Sequence, residues 1–122
     1  MKISKEDFDQ MKAKYDKEIK KGKPAKSKKG DVTDQTNWIF FDRETLERVL
    51  AQADPDPKKG GIKFYFTEYT EEIAEKYHPG QGNEYEGLMT LVFEASSTDK
   101  LALEGESDLE NIGRLCPPTC EI

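Results

Sequence analysis

Ile62-Lys63-Phe64-Tyr65-Phe66-Thr67-Glu68-Tyr69 is the stretch that decides the fold class. Ile62, Phe64 and Phe66 alternate with Lys63, Tyr65 and Thr67. A period of two is the signature of a β-strand with one apolar face and one amphipathic face. Downstream, Thr70 has the chemistry of a helix cap ahead of Glu71–Tyr77, and His78-Pro79-Gly80 ends that short helix. A loop, Gly80-Gln81-Gly82-Asn83, leads to a second strand over Leu88–Phe93. Met89, Leu91 and Phe93 share one of its faces, and Ser96-Ser97-Thr98-Asp99 closes it.

Upstream, Trp38-Ile39-Phe40-Phe41 has the composition of a short buried strand. Asp42 then caps a helix predicted over Arg43–Ala53. Leu46, Val49, Leu50 and Ala53 line one face of it, and Glu44 with Arg48 forms an i,i+4 ion pair on another. Asp54-Pro55-Asp56-Pro57 stops it, because a residue before proline is pushed out of the helical region.

The first 19 residues predict another helix. Ser4 caps it and Asp7 completes a capping-box pattern. Phe8, Met11, Tyr15 and Ile19 make one narrow apolar stripe. Gly22 and Pro24 end it. Residues 20–32 read as a basic flexible linker, since residues 20–30 hold six lysines and Ala25 as the single apolar side chain. Residues 33–100 form the body. Residues 101–122 read as an irregular acidic tail, with one turn near Ser107–Ile112.

These elements add up to an α+β fold: a small, mostly antiparallel sheet of three or more short strands, with helices on one face and an N-terminal helix in addition. The chain has 122 residues, 34% hydrophobic and 36% charged. That suits one small domain and argues against two. No run approaches the roughly 20 apolar residues of a membrane span. The opening Met1–Asp7 has no apolar stretch of a secretory leader, so the expected compartment is the cytoplasm.

Net charge is −6, unevenly placed. Residues 1–30 carry eleven lysines and five acids; the remainder carries eight basic and twenty acidic residues. A basic arm on an acidic body reads in three ways: as an anchor for an acidic partner, as a weak nucleic-acid contact, or as a segment folding against its own body. A solvated, functionless segment is the bland alternative. Lys20, Lys21, Lys28 and Lys29 are the candidate partner-binding cations. The arm lacks arginine and interleaved aromatics, which argues against sequence-specific nucleic-acid recognition. Tyr65 and Tyr69 share the strand face opposite Phe64. They either meet a partner or lie under the N-terminal helix stripe.

The two cysteines, Cys116 and Cys120, enclose Pro117-Pro118-Thr119. They read as an incidental tail, a local disulfide, or half of a soft-metal site for Zn or Cu(I). His78, the one histidine, is the candidate third ligand; its bland reading is a cation at a helix C-terminus. Neither glycine pair, Gly60-Gly61 nor Gly80/Gly82, has the flanking pattern of a phosphate cradle. Glu71, Glu72, Glu75, Glu84, Glu86 and Glu94 read as a solvated face, and no catalytic constellation emerges.

Three stretches, NWIFFDRETLERVL, GGIKFYFTEYT and LCPPTC after ENIGR, resemble a group of small uncharacterised bacterial proteins. The resemblance covers roughly residues 37–122. Trp38, Gly61, Ile62, Tyr65, Phe66, Cys116 and Cys120 match its pattern, and it implies no activity. The expectation is a non-enzymatic accessory or protein-interaction module that self-associates as a homodimer. The alternatives are a thiol- or metal-handling protein using the cysteine pair and, less favoured, a small enzyme using an acid near His78.

Overall fold

A computed structural model describes residues 2–98, 109–111 and 113–118. The chain begins with β1 (Lys2–Ile3) and α1 (Lys5–Lys17), followed by a 3₁₀ turn over Ile19–Lys21. The small strands β2 (Lys26–Ser27) and β3 (Gly30–Asp31) come next, then β4 (Trp38–Phe40), α2 (Arg43–Leu50) and β5 (Gly60–Glu68). The order continues with α3 (Glu71–Tyr77), α4 (Gly82–Tyr85), β6 (Met89–Ser97), β7 (Leu109–Glu110) and β8 (Arg114–Cys116).

The main sheet is antiparallel, in the order β1-β7-β6-β5. β5 and β6 pair along their whole length, Gly60 opposite Ser97 through Glu68 opposite Met89. β4 pairs separately with β8, setting Trp38 opposite Cys116. The α+β class expected from the alternation is the one observed. Part of the region expected to be irregular supplies β7 and β8; residues 99–108, 112 and 119–122, including Cys120, lie outside the described residues. Among the described residues, no helix is long and apolar enough to cross a membrane.

The helices occupy both faces of the sheet, where the sequence suggested one. Val92 and Phe93 are neighbours on β6, so they point to opposite faces, and both are fully buried. Val92 packs with Met11 of α1, Ile73 and Ala74 of α3, and Tyr69, Tyr85 and Leu115. Phe93 packs with Ala95, Val49 and Leu46 of α2, and Phe41. Each fully buried side chain of this size contributes about 1.5–3 kcal/mol. A sheet of mixed alternation therefore gains most when both faces are roofed.

α1 starts where the capping chemistry places it. The Ser4 hydroxyl accepts the Asp7 N–H at 3.0 Å. The Asp7 carboxylate turns inward and accepts from Lys76 Nζ (2.8 Å) and Tyr77 Oη (2.7 Å), tying α1 to α3. The helix lies along β5 and touches both of its faces: Phe8 meets Tyr65 edge-on at 5.0 Å, and Tyr15 stacks on Phe66 at 6.1 Å.

The segment expected to be a linker carries a small hairpin instead. Ala25 is buried and its carbonyl accepts the Val32 N–H. The Ser27 hydroxyl bridges the turn, and Gly30 takes the left-handed backbone (φ 104°) that the turn needs. The lysines find acids: Lys26 pairs with Asp31 (2.6 Å) and Lys28 with Glu71 (2.9 Å). Lysine-rich composition suggests solvation because an acid that receives one of those charges, Glu71 for Lys28, is remote in sequence.

α2 ends at Leu50, three residues before the predicted limit, in a turn leading to Asp54-Pro55. Its i,i+4 pair is Arg43–Glu47 rather than Glu44–Arg48. Arg48 reaches across to Glu110, at 2.9 Å, because a fully buried carboxylate demands a counter-charge. The Asp54–Lys59 loop then folds so tightly onto β5 that a Cβ built on Gly60 would sit 1.8 Å from the Asp54 carbonyl oxygen.

Candidate functional site

The face of β5 carrying Ile62, Phe64 and Phe66 is the most exposed apolar surface of the main sheet. Phe64 is 43% and Phe66 56% exposed. α2 packs on the same face through Val49 but stops short of covering it. Phe64 makes a tilted approach to Phe93 at 5.2 Å. On α2 itself Leu50 is 53% exposed, and on β4 Phe40 is 45% exposed. The charges on the helices that flank this strand are of both signs. Lys12, Asp16 and Lys20 lie on the α1 side, and Arg43 and Glu47 on α2.

The opposite β5 face is closed. Tyr69 is fully buried, so it cannot present itself to a partner as the sequence suggested. Tyr65 lies half-buried under Phe8 and donates its hydroxyl to Glu94 (2.8 Å). Burial, reinforced by that carboxylate, pushes its pKa up to about 12. Of the α1 stripe, Phe8 packs on Tyr65, whereas Tyr69 is enclosed by His78, Tyr85 and Asn111.

Of the candidate cations, Lys20 lies 3.8 Å from Asp16 and Lys28 pairs with Glu71, while the Lys28 N–H donates to Glu86. Lys21 and Lys29 are exposed at the 3₁₀ turn and the hairpin tip. The four do not converge on one point.

Cys116 is buried on β8 and is disulfide-bonded. A sulfur in a disulfide offers no thiolate to a metal. His78 sits in a different setting, stacked on Tyr85 at 3.6 Å and hydrogen-bonded through Nε2 to the Tyr69 hydroxyl at 3.1 Å. Tyr69 gives its one proton to Asn111 Oδ1 (2.7 Å), so His78 Nε2 must donate. Asn111 completes the chain by donating to Thr90 Oγ1 and to the Leu91 carbonyl. Burial lowers the His78 pKa, which keeps the ring neutral and fitted to this network. Among the described residues, no group of three or more His, Cys, Asp or Glu side chains is arranged to hold a metal ion.

One cluster escaped the sequence reading. Glu68, at the end of β5, is fully buried. Its Oε1 accepts the Ile19 N–H (3.3 Å) and its Oε2 lies 3.6 Å from Lys14 Nζ. Glu18 stands within hydrogen-bond reach and accepts from Lys14 Nζ (2.7 Å) and the Lys26 N–H (2.8 Å). Burial, then the neighbouring Glu18 carboxyl, raises the Glu68 pKa to about 7. Burial also opposes the charge on Glu18, but the Lys14 and Lys26 hydrogen bonds outweigh it and lower its pKa. An open groove of about 410 Å³ runs alongside, lined by Gln10, Lys14, Lys17, Glu18, Glu71 and Glu86. The sequence did hold a signal: Glu68 continues the Ile62, Phe64, Phe66 alternation, an acid where the pattern calls for an apolar residue.

Comparison with known proteins finds no matching family model, no similar curated protein and no similar solved structure.

Proposed function

We propose that the chain is a non-enzymatic protein-interaction module that pairs with a second copy of itself through the Phe64/Phe66 face. The observation that carries this reading is the exposure of two phenylalanines on one strand face, beside an α2 that also exposes Leu50. Exposed apolar clusters of this kind mark contact surfaces. Aromatic side chains bring large contact area to an interface at low entropic cost. A second copy suits the surroundings: the charges on the flanking helices are paired within the chain, Lys12 with Asp16 and Arg43 with Glu47, so a second copy meets little net charge there.

Sedimentation analysis tests the reading. The wild-type chain is expected to be dimeric at micromolar concentration, and Phe66→Ser monomeric with an unchanged circular dichroism spectrum. A wild-type chain that stays monomeric throughout that range overturns it.

A further inference from the structure

At the α1 end of β5, three ionisable side chains share too few charges. Lys14 supplies one ammonium, 12% exposed, to two carboxyls: Glu18 at 2.7 Å and the fully buried Glu68 at 3.6 Å. Two ionised carboxylates on one ammonium would leave a net negative charge in a place with little water, which is costly. Glu68 Oε2 has no hydrogen-bond partner among the described residues. A proton on the Glu68 carboxyl cancels the excess charge and turns an acceptor into a donor within reach of Glu18.

The cluster also does mechanical work. Glu68 holds the 3₁₀ turn through the Ile19 N–H, and Glu18 holds the hairpin through the Lys26 N–H. Lys14 adds a second tie, donating to the Lys26 carbonyl at 2.7 Å. From this arrangement we infer that Lys14, Glu18 and Glu68 form a proton-held latch. One proton shared by the two carboxyls keeps the 3₁₀ turn and the β2–β3 hairpin seated on the end of β5, and loss of that proton lets them lift.

The charged groups facing Glu68 are Lys14 and Glu18, both at the α1 end. From β6 its register partner is the uncharged Met89. The hairpin offers only main-chain atoms of Lys26, whose ammonium is engaged by Asp31. Across the groove stand Lys17, Glu71 and Glu86. The sign follows from linkage. A carboxyl whose folded pKa is raised contributes stability that is complete below its unfolded value of 4.5 and is lost as pH climbs through about 7. The latch therefore opens towards alkaline pH. Opening frees the basic hairpin.

The experiment is NMR on the full chain, following glutamate side-chain carboxyl carbons and amide exchange together. Glu68 is expected to titrate near neutrality. Between about pH 5 and about pH 8.5, the Ile19 and Lys26 amides should lose about tenfold or more of their protection, after correction for intrinsic exchange. Glu68→Gln mimics the protonated acid and should remove that pH dependence. Glu18→Gln leaves Lys14 to Glu68 alone and should shift the Glu68 titration downward. The inference is overturned if Glu68 titrates like an ordinary glutamate or if protection is flat across the range in the wild type. Should Glu68→Gln not fold, the wild-type titration and Glu18→Gln decide the matter by themselves.

Discussion

Asp7 puts a carboxylate in a position only 5% exposed, where an unpaired charge would be unfavourable. Burial works against its ionised form, but the hydrogen bonds from Lys76 and Tyr77 outweigh burial and lower its pKa below 3.8. Asp7→Ala removes the acceptor of both bonds and should destabilise the fold by about 1.5–3 kcal/mol in denaturant titration at neutral pH. For a carboxyl with a lowered folded pKa, the stability is present above the unfolded value and lost as pH falls through the folded one. The difference between wild type and variant should accordingly narrow below about pH 4. The capping motif that places Asp7 is written in the sequence; its partners, 69 and 70 residues further along, are not.

Elements were legible where local chemistry decides them. Asp42 caps α2 by accepting the Thr45 N–H at 2.8 Å, and Thr70 caps α3 in the same way. Asp42→Ala should lower the urea midpoint at constant slope, because the Thr45 N–H loses its acceptor. The strands β5 and β6 follow from their alternation of apolar and polar residues. The β2–β3 hairpin did not, because its two-residue strands carry no periodicity. What holds it is a set of distant acids, Glu18, Glu71 and Glu86, that only the folded chain brings alongside. The same reason accounts for Arg48. Helix spacing pairs it with Glu44, whereas the buried Glu110 on β7 attracts it more strongly.

For the molecule as a whole, the two core clusters are joined through β6, whose neighbouring Val92 and Phe93 belong one to each. Phe93 contacts both Phe41 (4.6 Å) and Phe64 (5.2 Å), so it supports the floor of the proposed interaction face. Phe93→Ala should cost about 3–5 kcal/mol and lower the thermal midpoint markedly. Phe66→Ser, at a side chain more than half exposed, should lower that midpoint by less than Phe93→Ala does and should remove its dependence on protein concentration by abolishing pairing. The contrast separates residues that build the face from residues that would use it.

The sequence by itself determined the α+β class, the helix starts at Ser4, Asp42 and Thr70, the strand β5 and the first part of β6, which runs on to Ser97 past the expected limit at Phe93. Each of these rests on interactions within a few residues or on a period of two or 3.6. Only the tertiary structure decided which face of β5 is roofed, where the lysines of residues 20–30 go, and that Glu68 lies buried beside Glu18. Those outcomes depend on which distant surfaces meet. Burial and charge pairing are properties of that meeting rather than of any local stretch of chain.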